Sequence, residues 1–492
     1  MAATVVSTGK PASRPVWLVT VALVMAGLLV GFQSNLLIPL MAVLPDELGI
    51  SVADASNLFT FYLLAGALAT PVLSKLADMH GKRLLLVVTL GVALGGEVVA
   101  VFSDAYLTLV ISRLLAGVGM ASVPIAISVM RDELPATRLS FSVGLMSLTL
   151  GLGSGVALPL SGMMTGAFGW SSVFVLSAAI AALALLLVLL VVRESPVRLG
   201  GRFDVIGSIL LTVALGSLLF GVSKINEWGL LGGETLTAAG IVLVAGALWV
   251  LVELHAGQPV VDIVSSLRRP VLLTNIATLL FGVSMALNFV TATQELQAPE
   301  EAGGFGLDAL AAGFVMFPAG LAMVPAALLG GWVMQRLSPR TALVIGGLIM
   351  TAAYASRVFI DGSITGIIVG TVLVQVGVGL MFGSTAAMIM QHVPVTETAS
   401  ANGVNALVRA IGNSAGAAIT AAIFGMISVT VGSTSWPDGP AMAIMFWLGA
   451  GTALLGVIAG LGVRAPHSEA QAGEAGDALE AFEALEAETG AA

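Results

Sequence analysis

Cysteine is absent from the sequence, which excludes disulfides, thiol nucleophiles and cysteine-ligated metals together. Histidine is nearly as scarce. His80, His255, His392 and His467 are scattered and offer no metal-ligand spacing, so neither a metal nor any other cofactor is expected. No G-x-x-x-x-G-K-[ST] phosphate loop occurs, because Lys10 is followed by Pro11 and Lys82 by Arg83; ATP hydrolysis of that kind is excluded. Charge is the largest deficit. Asp, Glu, Lys and Arg make up 10% of 492 residues, against roughly 25% in a soluble chain. A surface so poor in charge faces something other than water.

Apolar runs take the place of the missing charge, and 58% of the residues are hydrophobic. Run after run reaches the roughly 20 residues with which a helix crosses a bilayer. None alternates apolar and polar as barrel strands do. The sequence therefore predicts an all-α polytopic membrane protein with fourteen spans. The first covers Val16–Leu37, with room to run on past Pro39 towards Leu44, the second covers Leu58–Leu73, the ninth Val271–Thr293 and the thirteenth Thr398–Val429. With the N-terminus inside, 15 of the 19 basic residues fall in cytoplasmic segments, Lys10, Arg14, Lys75, Lys82, Arg83 and Arg131 among them. This obeys the positive-inside rule and puts both termini in the cytoplasm. After Val463 an Ala-rich acidic tail runs from Glu469 to Glu488 with no base beyond Arg464, the composition of a solvated cytoplasmic segment. The net charge of −9 comes largely from segments outside the membrane and implies no nucleic-acid partner. One catalytic lookalike, Gly412-Asn-Ser414-Ala-Gly416, lies inside an apolar helix. A nucleophile elbow needs a strand–turn–helix, so no enzyme is expected.

Self-similarity divides the fourteen spans into related halves. Gly117-Val118-Gly119 recurs as Gly377-Val378-Gly379, and the pair Gly151, Gly155 recurs as Gly412, Gly416. Ser74 to Arg83 aligns with Gly331 to Arg340, and Gly66 and Pro71 with Gly320 and Pro325. The offsets are all close to 260 residues. The organisation expected is a six-helix bundle over residues 1-200, two linker helices over 201-256, a second six-helix bundle over 257-463 and the tail over 464-492. Such repeats hold cargo near the midplane and rock against each other.

The loop Leu76-Ala-Asp78-x-x-Gly81-Lys82-Arg83 resembles the signature loop of the major facilitator superfamily, with Ser74 and Met79 where its usual Gly and Arg stand. Arg113-xxx-Gly117-x-Gly119 is similar to that family's fourth-helix motif. The series Gly151, Gly155, Pro159, Gly162 is similar to its fifth-helix antiporter motif. The 6 + 2 + 6 layout resembles the fourteen-helix drug:proton antiporter branch, as do Glu227-Trp228-Gly229 and the run from Gln258 to Asp262. The resemblance implies a major-facilitator fold and export of small, mostly hydrophobic compounds in exchange for protons by alternating access. It implies a multi-pass protein of the inner membrane, working as a monomer. A facilitator or symporter for a polar molecule is the alternative, and a membrane-embedded enzyme or lipid translocase a more distant one.

Particular residues follow. Asp78, Gly81, Lys82 and Arg83 form the expected gate, since a carboxylate among bases at two helix ends can latch one state and release it in the other. Arg113 and Arg409 lie within spans, which is costly without a cavity or a partner. Glu97 is the clearest acid inside a span and the candidate proton carrier. The first helix reads Gly31-Phe-Gln33-Ser-Asn35 where many members of the branch carry an Asp. With two cations and no acid there, neutral or anionic cargo is expected over lipophilic cations.

Overall fold

The computed structural model describes residues 15–463 apart from Ala42, 196–197, 200–201, 225–227, 230–231, 308, 360–361 and 432–433. Lys10, Arg14, Glu227, Arg464 and the acidic tail lie outside the described residues. Among the described residues fourteen helices are long and apolar enough to cross a membrane. They are α1 Val16–Leu40, α2 Asp54–His80, α3 Lys82–Val101, α4 Tyr106–Glu133, α5 Thr137–Phe168, α6 Ser171–Val191 and α7 Val205–Ser223. There follow α8 Gly233–Glu253, α9 Arg269–Gln297, α10 Ala311–Arg336, α11 Pro339–Phe359, α12 Ile364–Met390, α13 Val395–Met426 and α14 Gly439–Leu461. The lipid-facing sides stay apolar, as on α6, where Val175, Leu183, Leu186 and Leu190 are exposed.

Local chemistry sets the ends. Ser51 and Asp54 form a reciprocal capping box that starts α2 well before Leu58. That helix runs on to His80, so Asp78 sits on its last turn rather than in a loop. Gly81, at φ +130°, lets α3 begin one residue later. Asp204, Ser363 and Asp438 cap α7, α12 and α14 by accepting backbone N–H bonds. The α1 helix is interrupted by a turn at Leu36 and ends at Leu40. The α13 helix stops at Met426 instead of reaching Val429. There Ser428–Val431 (β1) pairs antiparallel with Thr434–Pro437 (β2), because Val429, Thr430 and Val431 are β-branched and the chain must reverse before α14.

One core joins α1, α3, α4, α5 and α6 and continues into Val333, Ala342, Ala387 and Ala399. A second fills the space among α9, α11, α12 and α14. The first six helices pack chiefly among themselves, as do the last six, and the two sets meet along α5–α10 and α2–α13. The α7 helix rides the second joint. Leu211 and Leu215 pack with Ala67 of α2 and with Val404 and Leu407 of α13. The α8 helix rests on α7 and is almost entirely peripheral, with only Ala245 and Glu253 buried among its described residues.

Glycine fixes how the halves meet. Along α5 and α10, Gly144 faces Gly331 and Gly155 faces Gly320 in antiparallel register. A Cβ on Gly144 would stand 2.7 Å from the Cα of Gly331, and one on Gly320 3.0 Å from the Cα of Gly155. The backbones touch over about 16 Å, eleven residues at ~1.5 Å each. Beyond Gly155 the seam ends. Nothing lies within 4 Å of a Cβ placed on Gly162 or on Gly313.

Candidate functional site

Functional side chains gather at three depths. At the basic end, which carries Lys75, Lys82, Arg83, Arg131, Arg336 and Arg340, the halves are latched. Fully buried Asp78 accepts N–H bonds from Ala399 (3.2 Å) and Ser400 (2.7 Å), in the first α-helical turn of α13 after the 3-10 turn Val395–Glu397. A carboxylate there meets unpaired amides and the positive end of the helix dipole together. Lys82 stands 4.0 Å from Asp78 but bonds more closely to Asp132 Oδ2, at 2.8 Å, and crosses to the carbonyl of Val395 at 3.3 Å. Arg131 crosses too, to Thr398 Oγ1 at 2.7 Å and to the carbonyl of Val393 at 3.0 Å. In the sequence Arg131 counts only as a topology signal and Asp132 carries no motif, so neither stood out as a gate residue. Arg83 bonds within its own half, to the carbonyl of Leu189. Gly81 leaves room for Glu194, whose carboxylate caps α3 through the N–H groups of Arg83 and Leu84. Of the four expected gate residues, Asp78 and Lys82 bridge the halves; Gly81 and Arg83 support them.

Farther in, three residues from three helices converge. Glu97 of α3 pairs with Arg113 of α4 at 3.0 Å and accepts a 2.7 Å bond from Gln33 Nε2 of α1. All three are fully buried. The Arg113 guanidinium also lies 4.7 Å from the Phe174 ring centroid, a cation–π contact. Arg113 is therefore not a free intramembrane cation, since Glu97 neutralises it. Removing either partner alone would strand a buried charge, at about 3–5 kcal/mol. Arg113 Nη1 and Gln33 Oε1 remain without partners, an unmatched donor and acceptor in one cluster. Asn35 stands apart and reaches the carbonyl of Ser154 on α5 at 3.4 Å.

The second half holds a counterpart that sequence reasoning missed. Glu295 of α9 forms an ion pair with Arg357 of α11, and Arg357 lies 4.7 Å from the Phe446 ring of α14. Taking α9 only to Thr293 left Glu295 outside the membrane, whereas the helix runs to Gln297. A signal was present: the repeat offset of 260 carries Glu97 onto Arg357 (357 − 97 = 260), the same position with the opposite charge.

Arg409 sits near the middle of α13, with its guanidinium 3.9 Å from the Phe382 ring of α12. It has no ion pair among the described residues. Around it α9, α12 and α13 leave a recess whose walls include Thr278, Met285, Met381 and Thr385. Of the α5 motif, Gly151 meets Met323 and Gly155 meets Gly320, while Pro159 lies inside the helix. A Cβ on Gly162 would meet nothing within 4 Å. Among the described residues no group of three or more His, Asp or Glu side chains could hold a metal ion.

Comparisons agree with this architecture. The chain is 25% identical over 411 residues to the tetracenomycin C resistance and export protein of Streptomyces glaucescens, covering 82% of this chain and 75% of that one. It is 27% identical over 413 residues to a triacylglyceride transporter of Mycolicibacterium smegmatis, covering 79% and 72%. Among solved structures, the human organic anion transporter MFSD10 superposes with a TM-score of 0.65 at 16% identity, over 91% of this chain and all of that one. The fold is shared. The profile of the Major Facilitator Superfamily matches residues 23–417, and the fourteen candidate spans fit its fourteen-helix branch. The chain belongs to the Major Facilitator Superfamily and is a multi-pass membrane transporter rather than an enzyme.

Proposed function

We propose that the protein exports small, mostly hydrophobic compounds in exchange for protons by alternating access, acting as a monomer with its basic end and both termini in the cytoplasm. Residues 1-200 and 257-463 are the moving halves, 201-256 a pair of helices carried along with them. The observation that carries this reading is the Asp78 latch together with the glycine seam. They close the basic end, and the seam stops at Gly155–Gly320. Closure at the basic end is what one end state of a rocking cycle requires.

Export is supported by the similarity to the tetracenomycin C resistance and export protein of Streptomyces glaucescens. A hydrophobic cargo is supported by the recess at Arg409, where Phe, Met and Val walls outnumber hydroxyls, and these walls disfavour the polar-nutrient alternative. Glu97 is our candidate for the coupled proton. Protonating it would free Arg113 from its partner and unbalance the buried cluster, which gives the proton leverage over the packing of α1, α3 and α4. Everted membrane vesicles test the reading. Dye accumulation driven by a pH gradient should stop when the gradient is collapsed; accumulation that ignores the collapse overturns antiport.

A further inference from the structure

We propose that Arg409 docks the anionic group of the cargo, so that carboxylate-bearing amphiphiles are carried in preference to lipophilic cations. This rests on the export reading and adds to it the charge class of what is bound.

The first ground is charge accounting. Arg113 is neutralised by Glu97, Arg357 by Glu295 and Lys82 by Asp132. Among the described residues Arg409 has no ion-pair partner, and its guanidinium lies against the Phe382 ring. A cation within a span is costly unless it finds a partner or serves a pathway, and no acid among the described residues supplies the partner. The second ground is depth. Arg409 lies eleven residues into α13 from Thr398, about 17 Å from the latched end, the level at which rocking bundles hold cargo.

The third ground is shape. The Phe382 ring covers one face of the guanidinium, which leaves its in-plane N–H groups as the recognition edge. That planar fork matches a carboxylate in two-point fashion. The neighbouring walls, Met285 and Met381, suit an apolar body attached to that carboxylate. Asn413, one turn farther along α13, has a buried Oδ1 without a partner, an acceptor placed for a hydroxyl or amide of the same molecule. A cationic cargo would instead bring like charge beside Arg409 where the dielectric is low.

Two xanthene dyes of opposite charge, carboxyfluorescein and rhodamine 6G, probe the assignment on the full chain in zwitterionic nanodiscs. Arg409→Gln should weaken carboxyfluorescein binding by at least about tenfold and leave rhodamine 6G unchanged or tighter, with Arg409→Lys in between. Unchanged carboxyfluorescein affinity in Arg409→Gln overturns the proposal, and so does an equal loss for both dyes. Displacement of the dye by phosphatidylglycerol in the disc assigns the recess to lipid headgroups and also overturns it. Vesicle transport separates this inference from the export reading. Gradient-driven extrusion of rhodamine 6G but not carboxyfluorescein sinks the anion site and leaves export standing. Arg409-dependent carboxyfluorescein binding with no gradient-driven movement of either dye does the reverse.

Discussion

Adding one methyl group at Gly144 should unlatch the closed end. The new Cβ would stand 2.7 Å from the Cα of Gly331, 3.1 Å from its nitrogen and 3.2 Å from the carbonyl oxygen of Ala327. All three are backbone atoms, so no side chain can swing aside. Carbon atoms rest 3.5–4.0 Å apart, so α5 and α10 would have to separate by roughly an ångström. Overpacking of this kind costs about 1–3 kcal/mol, and the cost falls only on the state in which the seam is closed. The closed-to-open ratio should therefore drop by roughly 5- to 150-fold. Gly162→Ala is the matched control, because open space surrounds that position. The assay uses the lack of native cysteine. Gln335 Nε2 donates to the carbonyl of Thr137 at 2.7 Å, so a Thr137→Cys, Gln335→Cys pair reports closure through a short bifunctional thiol reagent. Cross-linking should be rapid in the parent and in Gly162→Ala, and slowed in Gly144→Ala. Equal rates in all three refute the reasoning.

Three further outcomes are expected. Asp78→Asn keeps the shape but loses the charge that accepts the N–H groups of Ala399 and Ser400; hydrogen bonds to a charged group contribute about 1.5–3 kcal/mol, so the same cross-link should slow at least about tenfold. Glu97→Gln should lower the yield of folded protein by stranding Arg113, whereas Glu97→Leu with Arg113→Met should restore yield but not transport; full transport by the double variant would reduce the pair to a packing element. Asp262 caps the turn Ile263–Ser266, and although burial pushes its carboxyl up, hydrogen bonds from Ser265 hold it below the usual range. A pKa depressed on folding means stabilisation present at neutral pH and lost as pH falls through the folded value, so thermal unfolding of Asp262→Asn should lose part of the acid sensitivity of the parent, while identical acid profiles would contradict the assignment.

The spans were legible because each is a long apolar run. The close approaches of Gly144 to Gly331 and of Gly155 to Gly320 were not, because each joins glycines that the internal repeat does not pair. Charge partners were not legible. Glu97 and Arg113 are sixteen residues apart on different helices, and only the rotation of α3 against α4 brings them together. Glu295 was hidden by polar neighbours at the end of α9, where hydropathy fades before the helix does. Asp78 was recognised through its motif, but its true partners are backbone amides of α13, which carry no mark in the sequence.

Proton exchange is the central claim, and proteoliposomes with a trapped pH indicator test it most directly. With no ATP and no imposed gradient, adding cargo to one side should drive protons in the opposite direction across the membrane. Glu97→Leu with Arg113→Met should abolish that flux. Cargo movement without a proton signal would contradict the account.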